Sequence, residues 1–200
     1  MIKLKELCKL NAVSGFETMS DTELFKIFES YGFSPKSDEF GNVYGEKISK
    51  NSKFSLLIDA HRDEIGLIIS KICENGFLKF STVGGVDKNN LFCTEVTVYG
   101  KEPIYGVIGA LPPHLKSNDE ETLYIDTGIK NIGDYVEIGD PVKFKTEFLN
   151  LKNNQLCSGA MDDSAGLFCA LEAGSLIDNI NITVLASARE ETGTQGIEHF

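Results

Sequence analysis

The chain has 200 residues, 42% of them apolar and 24% charged, the balance of a soluble globular protein of one domain or one and a half. Its 30 acidic and 19 basic residues leave a formal net charge of −11. That excludes nucleic acid and anionic membrane as expected partners, because phosphate binding needs clustered Lys and Arg.

The first segment reads as a helix, with Ile2, Leu4, Leu7, Leu10 and Ala12 at three- to four-residue steps and a stop at Ser14-Gly15. A second helix follows, capped by Ser20 or Asp21, with Leu24, Phe25 and Phe28 on its apolar face and Gly32 as its stop. Residues 38–48 read as a strand or hairpin around the turn signal Phe40-Gly41-Asn42. FSLLIDA (54–60) and ITVLASA (182–188) are short, nearly continuous apolar runs, the pattern of strands buried on both faces. A helix from Ala165 to about Ile177, carrying Leu167, Phe168, Leu171 and Leu176, precedes the second run.

Between these α/β ends the pattern changes. From Leu67 to about Lys152 come six short strands, LIISKI, GFLKFSTV, EVTVYG, IYGVIGA, TLYIDTG and PVKFKTEF, punctuated by Gly84-Gly85 and Pro112-Pro113. Such spacing predicts a small β barrel or sandwich inserted into an α/β domain. The five cysteines, an odd number without a C-x-x-C pair, read as small buried hydrophobes in a reducing compartment. The N-terminus lacks the apolar run of a signal peptide, and no stretch approaches the ~20 apolar residues of a bilayer span. A cytoplasmic location is the expectation.

Three chemistry-bearing spots fall at comparable places. His61-Arg62-Asp63-Glu64 follows the first apolar strand, Asp162-Asp163 opens the helix near Ala165, and Glu190-Glu191 follows the second apolar strand. Alone, each has a plainer reading: a structural histidine, a helix N-cap, a charged loop. Together they sit where α/β sheets gather functional groups, outside the carboxyl ends of strands. One imidazole among several carboxylates suits Zn²⁺, Co²⁺ or Mn²⁺. Carboxylates so crowded resist ionising unless a cation sits among them. On an extended backbone Asp63 lies on the same side as His61, where it can accept the imidazole N–H and fix its tautomer. His114 and His199 lack such placement and read as structural or surface residues.

At these residues the sequence resembles the glutamyl-aminopeptidase family that includes the tetrahedral aminopeptidases. The resemblance rests on A-H-R-D-E-I-G at 60–66, GFLKFSTVGGVD with Gly84, Gly85 and Asp87, GVIGALPPHL at 106–115, and LYIDTG at 123–128. It continues with GDPVKF at 139–144, SGAMDDSAG at 158–166 and Glu190-Glu191-Thr192-Gly193. It implies an α/β fold with a zinc-exopeptidase-like mixed sheet, interrupted by a small barrel-like β insertion. Residues 1–66 and 157–200 would form a discontinuous catalytic domain and 67–156 a dimerisation domain. It implies two divalent metal ions, with His61 and Glu191 each binding one, Asp162 bridging both, Asp63 orienting His61, and Glu190 as general base. Asp163 would be structural.

The implied activity is removal of N-terminal residues from peptides by metal-activated water, in a homo-oligomer, often a dodecamer. Two further ligands, an Asp and a His, would lie beyond residue 200, so the α/β domain is expected to be incomplete and the chain truncated. Arg62 departs from the family, which often has an apolar residue there, and is expected to turn away from the metals. The rival readings are a related dinuclear amidohydrolase or deacylase, and an inactive oligomerising fragment.

Overall fold

The computed structural model describes residues 2–50, 52–110 and 123–200. By its contacts the chain divides into two compact units, one of residues 1–64 and 147–200, the other of residues 65–146. His114 lies outside the described residues.

The first unit opens with α1 (Ile2–Leu7), shorter than its apolar spacing predicts. The chain straightens instead: Val13 bridges Glu64, with Glu64 N–H donating to the Ala12 carbonyl and Ser14 N–H to the Glu64 carbonyl. A 3-10 turn (Glu17–Ser20) leads into α2 (Asp21–Ser30), which buries Leu24, Ile27 and Phe28. At its end Gly32 takes φ +81, letting Phe33 N–H reach the Phe28 carbonyl and Gly32 N–H that of Glu29. Those bonds satisfy carbonyls the helix leaves open.

β1 (Ser34–Ser37) and β2 (Val43–Lys47) form an antiparallel hairpin. The Asp38 carboxylate ties its turn by accepting from the amides of Phe40 and Asn42. β3 (Ser55–His61) and β12 (Asn181–Ser187) complete a four-stranded sheet ordered β1-β2-β12-β3, with β12 antiparallel to β2 and parallel to β3.

Two short strands, β10 (Leu149–Asn150) and β11 (Leu156–Cys157), precede α3 (Met161–Ser175), and α4 (Gln195–His199) ends the chain. One face of the sheet packs Ile182, Val184, Val43 and Ala60 against Leu24 and Phe28 of α2 and Leu167 and Leu171 of α3. Gly45 lies where a Cβ would stand 2.7 Å from the Phe28 ring, so only glycine lets α2 approach this closely. The Lys47 ammonium donates to the carbonyls of Gly174, Ser175 and Ile177 at the end of α3.

The apolar run at β3 departs from expectation. Leu56 and Leu57 are 42% and 45% exposed, and only Ala60 and His61 at the end of the strand are buried. β3 is the edge of the sheet, paired with β12 alone among the described strands. Nor are the cysteines uniformly interior: Cys8 is buried, while Cys93, Cys157 and Cys169 are exposed.

The second unit is a closed barrel of β4 (Gly66–Ile72), β5 (Leu78–Val83), β6 (Glu95–Tyr99), β7 (Pro103–Ala110), β8 (Leu123–Asp126) and β9 (Pro141–Phe144). Its order is β4-β5-β8-β7-β6-β9, which brings the first and last strands together. Alternate residues point inward, Leu67 and Ile69, Leu78 and Phe80, Val96 and Val98, as a pleated strand of period two requires. Closure leaves the barrel without an unpaired edge. No helix among the described residues is long and apolar enough to cross a membrane.

Candidate metal centre

The site grows from the parallel pairing of β3 and β12, which sets His61 opposite Ser187, with Arg62 N–H donating to the Ser187 carbonyl. Both strands therefore release their chains side by side, one into Arg62-Asp63-Glu64 and the other into Ala188-Arg189-Glu190-Glu191. Nitrogen and oxygen atoms of His61, Glu190 and Glu191 lie within 4.8 Å of one another. Asp162 joins them through His61: its Oδ1 is 3.1 Å from Nε2, while Glu190 Oε2 is 3.9 Å from the same nitrogen. The Asp162–Asp163 peptide is cis. Asp163 turns the other way, its Oδ1 accepting the Gly166 amide at 2.8 Å as a cap on the first regular turn of α3.

The imidazole is fixed from behind. Nδ1 lies 3.0 Å from the Asp63 backbone carbonyl and 3.5 Å from Asp63 Oδ1. A carbonyl only accepts, so Nδ1 carries the proton and Nε2 faces the acidic cluster. The Asp63 carboxylate, which the His-x-Asp spacing assigns to the imidazole, also accepts the amides of Glu190 and Glu191 at 3.0 and 3.1 Å. Burial opposes ionisation of Asp63, but His61, those amides and the Ser14 hydroxyl outweigh it and hold its pKa below the usual carboxylate value. Burial also depresses His61, and here too it is outweighed: hydrogen bonds to Asp63 and Asp162 lift its pKa to about 9. Glu191 is raised by burial and by the charges of Asp63, Glu190 and Asp162. Carboxylates gathered beside an imidazole make a donor set that a divalent cation relieves, and the set fits Zn²⁺, Co²⁺ or Mn²⁺.

Arg62 does turn away, but into the protein rather than solvent. Its guanidinium is buried and donates to Asp21 Oδ1 at 2.7 Å, the Glu17 carbonyl at 2.7 Å, the Gly41 carbonyl at 3.1 Å and Ser20 Oγ at 3.3 Å. His199 stacks on Phe40, with ring centroids 4.7 Å apart, in the role of a structural residue. Two residues in the surroundings carry no sequence signal for the site. Glu17 is 2% exposed and accepts the Arg189 amide, and Asn42 accepts the Ala188 amide.

The profile of the M42 glutamyl aminopeptidase family matches residues 41–200. The chain belongs to this family. It is 27% identical to the lysyl aminopeptidase of Pyrococcus furiosus, over 96% of this chain and 60% of that protein. Its fold superposes on a TET aminopeptidase from a marine sediment archaeon of the Thaumarchaeota with a TM-score of 0.87 at 27% identity, covering 98% of this chain and 60% of the other. A TET1 peptidase of Pyrococcus horikoshii, described as assembling into a tetrahedron or a large octahedral shell, gives 0.84 at 29% identity, covering 99% and 63%. Such neighbours share the mixed α/β architecture with its six-stranded barrel. The chain spans 57% to 60% of the length of the curated relatives it matches.

Proposed function

We propose that this chain carries the N-terminal part of an aminopeptidase that removes single residues from the free N-terminus of peptides. The observation that carries the reading is the convergence of His61, Glu190 and Glu191 within 4.8 Å at the ends of two parallel strands. His61 and Glu191 would each hold a divalent ion, Zn²⁺, Co²⁺ or Mn²⁺, with Asp162 shared between the two and further ligands from beyond residue 200. Ions held there would supply Lewis-acid chemistry, polarising a scissile carbonyl and acidifying a water. Glu190, half-exposed beside His61 Nε2, takes the proton from the attacking water and delivers it to the departing amine. Asp63 keeps Nδ1 of His61 protonated, which leaves Nε2 as the nitrogen facing the carboxylates, and holds both glutamate amides. Self-assembly, here through the barrel, would parallel the tetrahedral or octahedral shells of the Pyrococcus horikoshii TET1 peptidase. Five cysteines without a disulfide agree with a cytoplasmic location.

Matched peptides with free and acetylated N-termini, incubated with the Co²⁺-loaded protein, test the reading. Release of one residue from the free peptide alone is expected, with Glu190→Gln lowering kcat by about 10²- to 10⁴-fold. Equal cleavage of the acetylated peptide overturns the aminopeptidase assignment in favour of a related amidohydrolase.

A further inference from the structure

The four consecutive amides that lead from β12 into the site are each held by a side chain from elsewhere. Ala188 N–H donates to Asn42 Oδ1 at 2.8 Å, Arg189 N–H to Glu17 Oε1 at 2.9 Å, and those of Glu190 and Glu191 to the two oxygens of Asp63. Within this run Arg189 takes φ +56, a left-handed conformation that a non-glycine residue adopts only when its surroundings hold it there. That kink directs Glu190 and Glu191 towards His61.

We propose that Glu17 is a positioning residue of the metal centre, whose buried carboxylate locks the left-handed turn at Arg189 and so fixes where Glu190 and Glu191 stand. The proposal rests on the metal reading above, but its geometric part does not depend on an ion being bound.

Glu17 is suited to this task in two ways. Its Oε1 also accepts the Gly15 amide at 3.0 Å, so the side chain is clamped at its own end of the bond. Its backbone carbonyl accepts the Arg62 guanidinium at 2.7 Å. One residue therefore ties the chain leaving β3, through Arg62, to the chain leaving β12, through Arg189. Burial raises the Glu17 pKa, opposed by the Gly15 and Arg189 amides. A carboxylate kept in so unfavourable a place, with a cation drawn in beside it, does a job that a buried apolar side chain would not.

Amide hydrogen exchange on the metal-free chain tests the lock, and Co²⁺ titration followed by absorbance tests its consequence. Glu17→Ala is expected to speed exchange at Arg189 about 10-fold or more, leaving Val184 and Leu185 of β12 unchanged, and to weaken Co²⁺ binding by about 10-fold. Glu17→Gln, which keeps an acceptor oxygen, should stay within about 3-fold of the parent in both. Adding Arg189→Gly to Glu17→Ala should recover part of the Co²⁺ affinity, because glycine takes the positive φ unaided. If Glu17→Ala does not fold, Glu17→Asp, one methylene short of Arg189, is measured with the same expectation. Unchanged exchange at Arg189, or an Arg189→Gly loss that merely adds to that of Glu17→Ala, overturns the proposal. Absence of Co²⁺ uptake by the parent chain shows that residues 1–200 do not hold an ion without the further ligands of the metal reading, and exchange at Arg189 alone then decides the role of Glu17.

Discussion

β3 and β12 run side by side in register, Ser55 opposite Asn181 and His61 opposite Ser187, yet they live in different surroundings. β12 is central: Ile182, Val184, Leu185 and Ala186 are all fully buried. β3 is an edge strand with Leu56 and Leu57 over 40% exposed, and it becomes buried only where it reaches Ala60 and His61. The functional ends of the two strands are thus equally enclosed while their bodies are not. Enclosure of the site comes from what converges beyond the strands, the turn at Arg62-Asp63, the Glu17 segment and the Arg189 kink, rather than from the sheet itself.

The contrast can be broken by substitution. Leu185→Ala in β12 is expected to cost about 2–5 kcal/mol, read by urea denaturation, because it opens a cavity in a closed interior. The same truncation at Leu56 is expected to cost under about 1 kcal/mol, as for other half-exposed positions. Comparable losses at the two sites would mean that β3 is covered in solution.

Titration sharpens the comparison at the strand ends. The folded-state pKa of His61, about 9, lies above its ordinary value of 6.5. Its contribution to metal-free stability is therefore fully present below pH 6.5 and lost as pH rises through 9. A bound ion needs the neutral ring, so Co²⁺ uptake near pH 7.5 should expel about one proton per chain from His61. Calorimetry in buffers of different ionisation enthalpy measures this. Uptake without proton release at that pH would show that His61 does not enter the site as a protonated ring.

What could be read from the residues alone follows from these differences. The clustering of the candidate residues was legible because His61, Asp162, Glu190 and Glu191 each adjoin a recognisable apolar strand or helix, and short-range order carries them. The barrel was visible through the alternation at Leu67 and Ile69 or Val96 and Val98. The exposure of Leu56 and Leu57 was not, because a strand's composition records what it can pack against and not which neighbours it has. α1 stopped early because residues 12–14 found a partner at Glu64, far along the chain, which no local period reports. Glu17 and Asn42 were invisible for the same reason: their importance lies in bonds to amides at 188 and 189, and any carboxylate or amide in a turn looks alike in sequence.

The pairing of β4 with β9, Leu67 opposite Val142, has a meaning for how such a chain is put together. The barrel's first and last strands are antiparallel neighbours, roughly 5 Å apart across the ladder. Where β4 and β9 pair, at Leu67 and Val142, the chain's way in and way out are therefore no farther apart than the strands of an ordinary hairpin. A whole folded unit has the footprint of a tight turn. Within the other unit, His61 and Asp162, 101 positions apart along the chain, lie within hydrogen-bonding distance. A barrel that begins and ends on neighbouring strands can be enlarged or diversified through its other loops while its own first and last strands stay together.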